Sequence, residues 1–194
     1  MATIKSTAIL LTILLSVAAQ VLGQTAVDFY NRGVTEIMNN RLDDAMADFD
    51  RALSLDPKIV EAYVNRGTLK QSKKDPDGAI ADFTRAIELN PKDAGAYNCR
   101  GNAKMMKENF DAAIRDYDRA IELAPETANA YSNRAGAKFC KKDFDGAIAD
   151  FNRALELEPN YANAYKNRAA AKEAKGDADG ARPDRARAKE LDGK

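Results

Sequence analysis

Histidine and tryptophan are absent from the 194 residues, and aromatic side chains contribute only 7%. Without histidine the commonest general base and the commonest metal ligand are both missing, so catalysis would fall to Asp, Glu, Lys or Cys alone. No glycine-rich phosphate loop, nucleophile elbow or paired-cysteine zinc spacing takes their place. The expectation is a chain with no catalytic site, no metal and no cofactor. Charge imbalance is missing too: 30 Lys+Arg face 30 Asp+Glu, which leaves no net field to draw the chain onto nucleic acid or an anionic membrane. With an apolar content that leans on alanine, a large aromatic-rich core is excluded and thin helical layers are favoured.

A hydrophobic run of full membrane length is also lacking. Lys5 precedes an apolar stretch from Ala8 to Ala19 interrupted only by Thr12 and Ser16, short for a span of about 20 residues. Val21 and Gly23 stand at the two small positions before a signal-peptidase site, so residues 1–23 read as an export signal cleaved ahead of Gln24. The alternative is an uncleaved anchor, which would make the chain a membrane-attached adaptor. The absence of an Asn-x-Ser/Thr acceptor and of an endoplasmic-reticulum retention signal in Leu191-Asp192-Gly193-Lys194 fits a bacterial periplasm or the cell exterior.

What is present is a repeat. Pro57, Pro91, Pro125 and Pro159 recur every 34 residues, and a fixed period of this length marks a stacked array. Starting repeats at Ala26, Val60, Ala94, Ala128 and Ala162 divides the chain into 26–59, 60–93, 94–127, 128–161 and 162–194. Position 4 is then aromatic (Phe29, Tyr63, Tyr97, Tyr131, Tyr165) and position 8 small (Gly33, Gly67, Gly101, Ala135, Ala169). Position 20 is Ala at 45, 79, 113, 147 and 181, and position 27 is Ala at 52, 86, 120, 154 and 188. Small residues at such points let two helices cross closely. Asp43, Asp77, Asp111, Asp145 and Asp179 at position 18 read as N-caps of a second helix, which the residue before each Pro ends. One repeat is a helix hairpin.

Aromatic at 4, small at 8, Ala at 20, aromatic at 24, Ala at 27 and Pro at 32 resembles the tetratricopeptide repeat family over residues 24–194. The resemblance implies an all-α, right-handed superhelical solenoid whose concave groove is lined by positions 2, 5, 6, 9, 12 and 13 of the first helices. Two departures stand out: Arg replaces the family's usual Leu at position 7, and Asp fills position 23 as Asp48, Asp82, Asp116, Asp150 and Asp184. Neither tolerates burial alone, so they read as a repeated ion pair or as two separately solvated charges. Asp28 at position 3, where later repeats have Ala, marks the first repeat. Arg182, Arg185 and Lys189 mark a polar closing helix, so the array is expected to be complete at both ends.

On that groove, position 6 supplies Asn31, Asn65, Asn133 and Asn167, with Cys99 in the third repeat flanked by Asn98 and Asn102. A carboxamide offers both donor and acceptor, as a peptide backbone demands. Tyr30, Val34, Ile37 and Met38 in the first repeat, with Met105, Met106 and Phe139 further on, form an apolar strip of the adaptable kind that marks interfaces. The carboxylate clamp of chaperone-tail-binding family members is not matched in any frame. The expected function is a scaffold for an extended peptide or partner protein, with self-association into a homodimer as the alternative. Cys99 and Cys140 are offset by about 10 Å along neighbouring helices, beyond the reach of a disulfide, and are expected as free thiols.

Overall fold

A computed structural model describes residues 25–193; the export segment read in residues 1–23 lies outside them. The described residues form ten helices: α1 Ala26–Met38, α2 Leu42–Leu55, α3 Val60–Ser72, α4 Pro76–Leu89, α5 Ala94–Met106, α6 Phe110–Leu123, α7 Ala128–Cys140, α8 Phe144–Leu157, α9 Ala162–Ala174 and α10 Ala178–Asp192. No strand occurs among them. Each pair of consecutive helices is one repeat, so the 34-residue period gives five hairpins. Two compact units divide within α3, one running to Arg66 and the other beginning at Gly67.

In the first unit Thr25 caps α1 in a capping box: its side chain accepts from the Asp28 amide, and the Asp28 carboxylate accepts from the Thr25 amide at 2.8 Å. Asp28 is therefore a cap, which is why it stands where Ala62, Ala96, Ala130 and Ala164 are buried in later repeats. Phe49 is fully buried and its ring lies 2.8 Å from where a Cβ on Gly33 would sit. That close approach is the reason position 8 is small.

The second unit repeats the same packing. Phe83, Tyr117 and Phe151 are fully buried, as are the alanines at positions 20 and 27. Each aromatic contributes about 1.5–3 kcal/mol of burial. Gly67 and Gly101 face the rings of Phe83 and Tyr117 as Gly33 faces Phe49.

The helix starts differ from the sequence reading. The second helices are capped at position 16, by Asp75, Asn109, Asp143 and Asp177, whose side chains accept from Gly78, Ala112, Gly146 and Gly180. The position-18 aspartates lie inside the first turn, where their charge complements the helix dipole. The turn closes two residues early because position 15 is left-handed in every repeat: Asn40, Lys74, Glu108, Lys142 and Gly176 all have positive φ. Asp77, Asp111 and Asp145 instead pair with Lys107, Lys141 and Lys175 of the following repeat. The aspartates thus tie hairpin to hairpin.

Arg at position 7 and Asp at position 23 form the ion pair that the sequence allowed. Arg100 donates through Nε and Nη2 to both oxygens of Asp116 at 2.9 and 2.8 Å, and Arg134 does the same to Asp150 at 2.8 and 2.7 Å. Arg168 grips Asp184 likewise, and in the first unit Arg32 grips Asp48. Sequence reasoning missed two further members. Lys70, Lys104, Lys138 and Lys172 at position 11 reach Asp82, Asp116, Asp150 and Asp184 at 2.7–2.8 Å. The Nη1 atoms of Arg66, Arg100, Arg134 and Arg168 reach Asp50, Thr84, Asp118 and Asn152 of the preceding repeat. Each guanidinium also stacks over its position-4 aromatic, Arg134 at 5.6 Å from the Tyr131 centroid. This node replaces an apolar contact with a bidentate, fully hydrogen-bonded one. Arg134 is held protonated by its bonds to Asp150 against the opposing effect of burial. Among the described residues no buried side-chain polar atom lacks a partner.

Candidate functional site

With the charged node turned between hairpins, the other face of the first helices, at positions 2, 5, 6, 9, 12 and 13, carries only uncharged side chains in α1, α5 and α7, whereas α3 has Glu61 there and α9 has Lys166 and Glu173. In the second unit that face holds two adjoining cavities. One, of about 330 Å³, is lined by Asn102, Met105, Tyr117, Ser132, Asn133, Gly136, Tyr161, Asn163 and Asn167. The other, of about 220 Å³, is lined by Met105, Gly136, Phe139, Cys140, Phe151, Asn167 and Ala170. They share Met105, Gly136 and Asn167, so an amide-lined chamber passes into an apolar one. Gly136 lies at the junction, and a Cβ added there would meet nothing within 4 Å. The helix thus accepts a residue costing roughly 1 kcal/mol relative to alanine with no packing reason for it.

The first-helix lining falls at positions 2, 5, 6, 9, 12 and 13, as the family register implies. Five of the expected residues, Asn102, Met105, Asn133, Phe139 and Asn167, come together here. Asn98 instead lines a separate cavity of about 250 Å³ with Ala94, Gly95, Ala120, Thr127, Asn129 and Ala130. Phe139 is half-buried, 5.5 Å from the Phe144 ring, and belongs as much to the core as to the cavity. Met106 is exposed. In the first unit Asn31 is exposed and Tyr30, Val34, Ile37 and Asn65 are half-buried. Asn65 reaches the Tyr30 hydroxyl at 3.5 Å. Met38 is 83% and Val27 58% exposed.

Sequence reasoning did not single out Tyr117, Ser132, Gly136, Tyr161 or Ala170 as site residues. Tyr117 and Tyr161 come from positions 24 and 34, outside the first helices, and only packing brings them to this face. Gly136 had a signal: it breaks the run of side chains at position 9 inside a helix. Burial, followed by the Asp116 carboxylate, pushes the Tyr117 phenol well above its usual range, so it is a neutral donor. Burial likewise raises the Cys99 thiol. Cys99 and Cys140 are both free.

An array of helix hairpins with an open amide-and-apolar face defines a repeat scaffold of the protein-interaction kind. Family models for the tetratricopeptide repeat match residues 29–59, 60–93, 94–126 and 128–161. The chain belongs to the tetratricopeptide repeat family. Comparison with curated proteins gave no match. Among solved structures it is similar to a MamA protein at 27% identity, covering 87% of this chain and 92% of that one with a TM-score of 0.78. MamA from Desulfovibrio magneticus RS-1 superposes at 17% identity over 88% and 96% with a TM-score of 0.80. YrrB, described as a TPR protein with an unusual peptide-binding site, matches at 22% identity over 91% of each chain with a TM-score of 0.72.

Proposed function

We propose that the chain is a non-catalytic scaffold that holds an extended segment of a partner protein against its first helices. The observation that carries this is the pair of joined cavities, one amide-lined and one apolar, opened by Gly136. Main-chain polar groups and one apolar side chain of a peptide would be satisfied there together. The fold shared with YrrB is one that accommodates a peptide-binding site. Residues 1–23 direct export and are removed, and the scaffold works in the periplasm or outside the cell. Gly136→Phe projects a ring into the junction from a Cβ that meets nothing within 4 Å. It is expected to abolish binding of peptides selected from a random library on the purified chain while leaving the helical circular-dichroism signal intact. Undiminished binding by that variant would refute the site.

A second reading rests on the first repeat, where Val27 and Met38 are exposed on α1. Those side chains suit self-association, and light scattering that gives a dimer mass, lost in Met38→Glu, would support it.

A further inference from the structure

Three asparagines of α5 and α7 are bonded to one another, and a fourth to a tyrosine, in a way that fixes which end of each carboxamide is engaged. The Asn133 NH₂ group donates to Oδ1 of Asn98 at 3.0 Å and to Oδ1 of Asn129 at 2.7 Å. The Tyr117 hydroxyl donates to Oδ1 of Asn102 at 2.7 Å. A carboxamide has one oxygen and one NH₂ group, so holding the oxygens leaves the NH₂ groups of Asn102, in the larger cavity, and of Asn98 and Asn129, in the separate cavity of about 250 Å³, available to a ligand that spans both. Asn133, with both N–H bonds used, offers its oxygen. The balance is three donor groups to one acceptor group.

Tyr117 is the unusual member. The equivalent positions of the first, second and fourth repeats are Phe49, Phe83 and Phe151, which fill the same buried space without a hydroxyl. Packing therefore does not require the oxygen, and its partner lies in the larger cavity.

The donors are uncharged. Arg100 and Lys104 on the same helix are committed to Asp116, and Arg134 and Lys138 on α7 to Asp150. A carboxylate or phosphate would surrender strong hydration to neutral donors alone, which is unfavourable, whereas a peptide carbonyl gives up far less and is matched by a neutral N–H donor. Asn98 and Asn102 stand one turn apart, about 6 Å along the helix. Carbonyls pointing the same way on an extended chain are roughly 6.6–6.8 Å apart.

We propose that Tyr117 and Asn133 are positioning residues that lock Asn98, Asn102 and Asn129 with their N–H groups outward, so that the third and fourth repeats read the main-chain carbonyls of an extended polypeptide. This rests on the peptide-binding reading above and adds its polarity. The probe is a peptide selected from a random dodecamer library on the immobilised chain. Tyr117→Phe is expected to weaken it about three- to tenfold, with little change in thermal midpoint. Asn133→Asp makes Asn98 and Asn129 turn their N–H groups inward toward the new carboxylate, and is expected to weaken it more than about tenfold. Replacing single peptide amides by esters, which weakens the carbonyl acceptor, should reduce affinity where N-methylation, which keeps the carbonyl, does not. Unchanged binding by both variants, or a loss on N-methylation alone, would overturn the polarity while leaving the groove intact. Failure of any peptide to enrich would overturn the groove reading and this inference with it.

Discussion

Two helix-interior glycines should respond in opposite directions to the same substitution. Gly101 in α5 and Gly136 in α7 are one position apart in the repeat, at 8 and 9. At Gly136 an added methyl meets nothing within 4 Å, so Gly136→Ala should realise the full helix-propensity gain of about 1 kcal/mol. At Gly101 the new Cβ would lie 2.5 Å from Cε1 and 2.8 Å from Cδ1 of Tyr117. That ring is 1% exposed and its hydroxyl is bonded to Asn102, so it cannot swing aside. Overpacking of this kind costs about 1–3 kcal/mol, which offsets or exceeds the propensity gain. The two variants are therefore expected to differ by about 1–3 kcal/mol, Gly136→Ala being the more stable. Urea denaturation followed by far-UV circular dichroism reads this as midpoints moving apart at a common slope. Adding Tyr117→Phe to Gly101→Ala should recover part of the loss by freeing the ring. Equal shifts for the two alanine variants would mean that the crossing of α5 and α6 is looser than these distances state.

The charged nodes make two further predictions. Arg134→Leu strips Asp150 of both guanidinium bonds but leaves Lys138 at 2.7 Å, so its cost should fall below the roughly 3–5 kcal/mol of a fully broken buried pair, at about 2–3 kcal/mol. In the double-mutant cycle with Asp150→Leu the losses should be less than additive, and additive losses would show no coupling. In the last repeat, burial raises the Asp184 pKa, but bonds from Arg168 and Lys172 outweigh it and hold the group below its usual range. Its contribution is present above the unfolded value near pH 4 and is lost as pH falls through the lower folded value. Asp184→Asn should be less stable than the parent at pH 6 and the gap should narrow below about pH 4; a constant gap in urea midpoints would refute the linkage.

Residue spacing alone carried the hairpin repeat, because each close helix crossing admits only a small side chain and so prints Gly or Ala at a fixed offset. The groove register was legible for the same reason: a periodic helix repeats its faces with its period. The pairing of arginine at position 7 with aspartate at position 23 was legible as a possibility, since two charges recurring together where apolar residues are usual invite each other. Lys70, Lys104, Lys138 and Lys172 recur just as regularly, yet their role depends on reaching back across the hairpin, which spacing does not state.

Tertiary structure decided what periodicity averages away. Asp occupies both position 16 and position 18 in several repeats, and only the left-handed residue at 15 selects the first as the cap. The asparagine row read as uniform, but side-chain bonds engage the oxygens of Asn98 and Asn102 and the NH₂ groups of Asn65 and Asn133. Tyr117 and Tyr161 reach the cavity from outside the first helices, through packing between repeats. The sequence by itself determined the hairpin and its close helix crossings, because those contacts lie between neighbours at constant offset. What singles out one place on the array arises where a lone substitution, Tyr for Phe or Gly for a side chain, meets a particular neighbour in space.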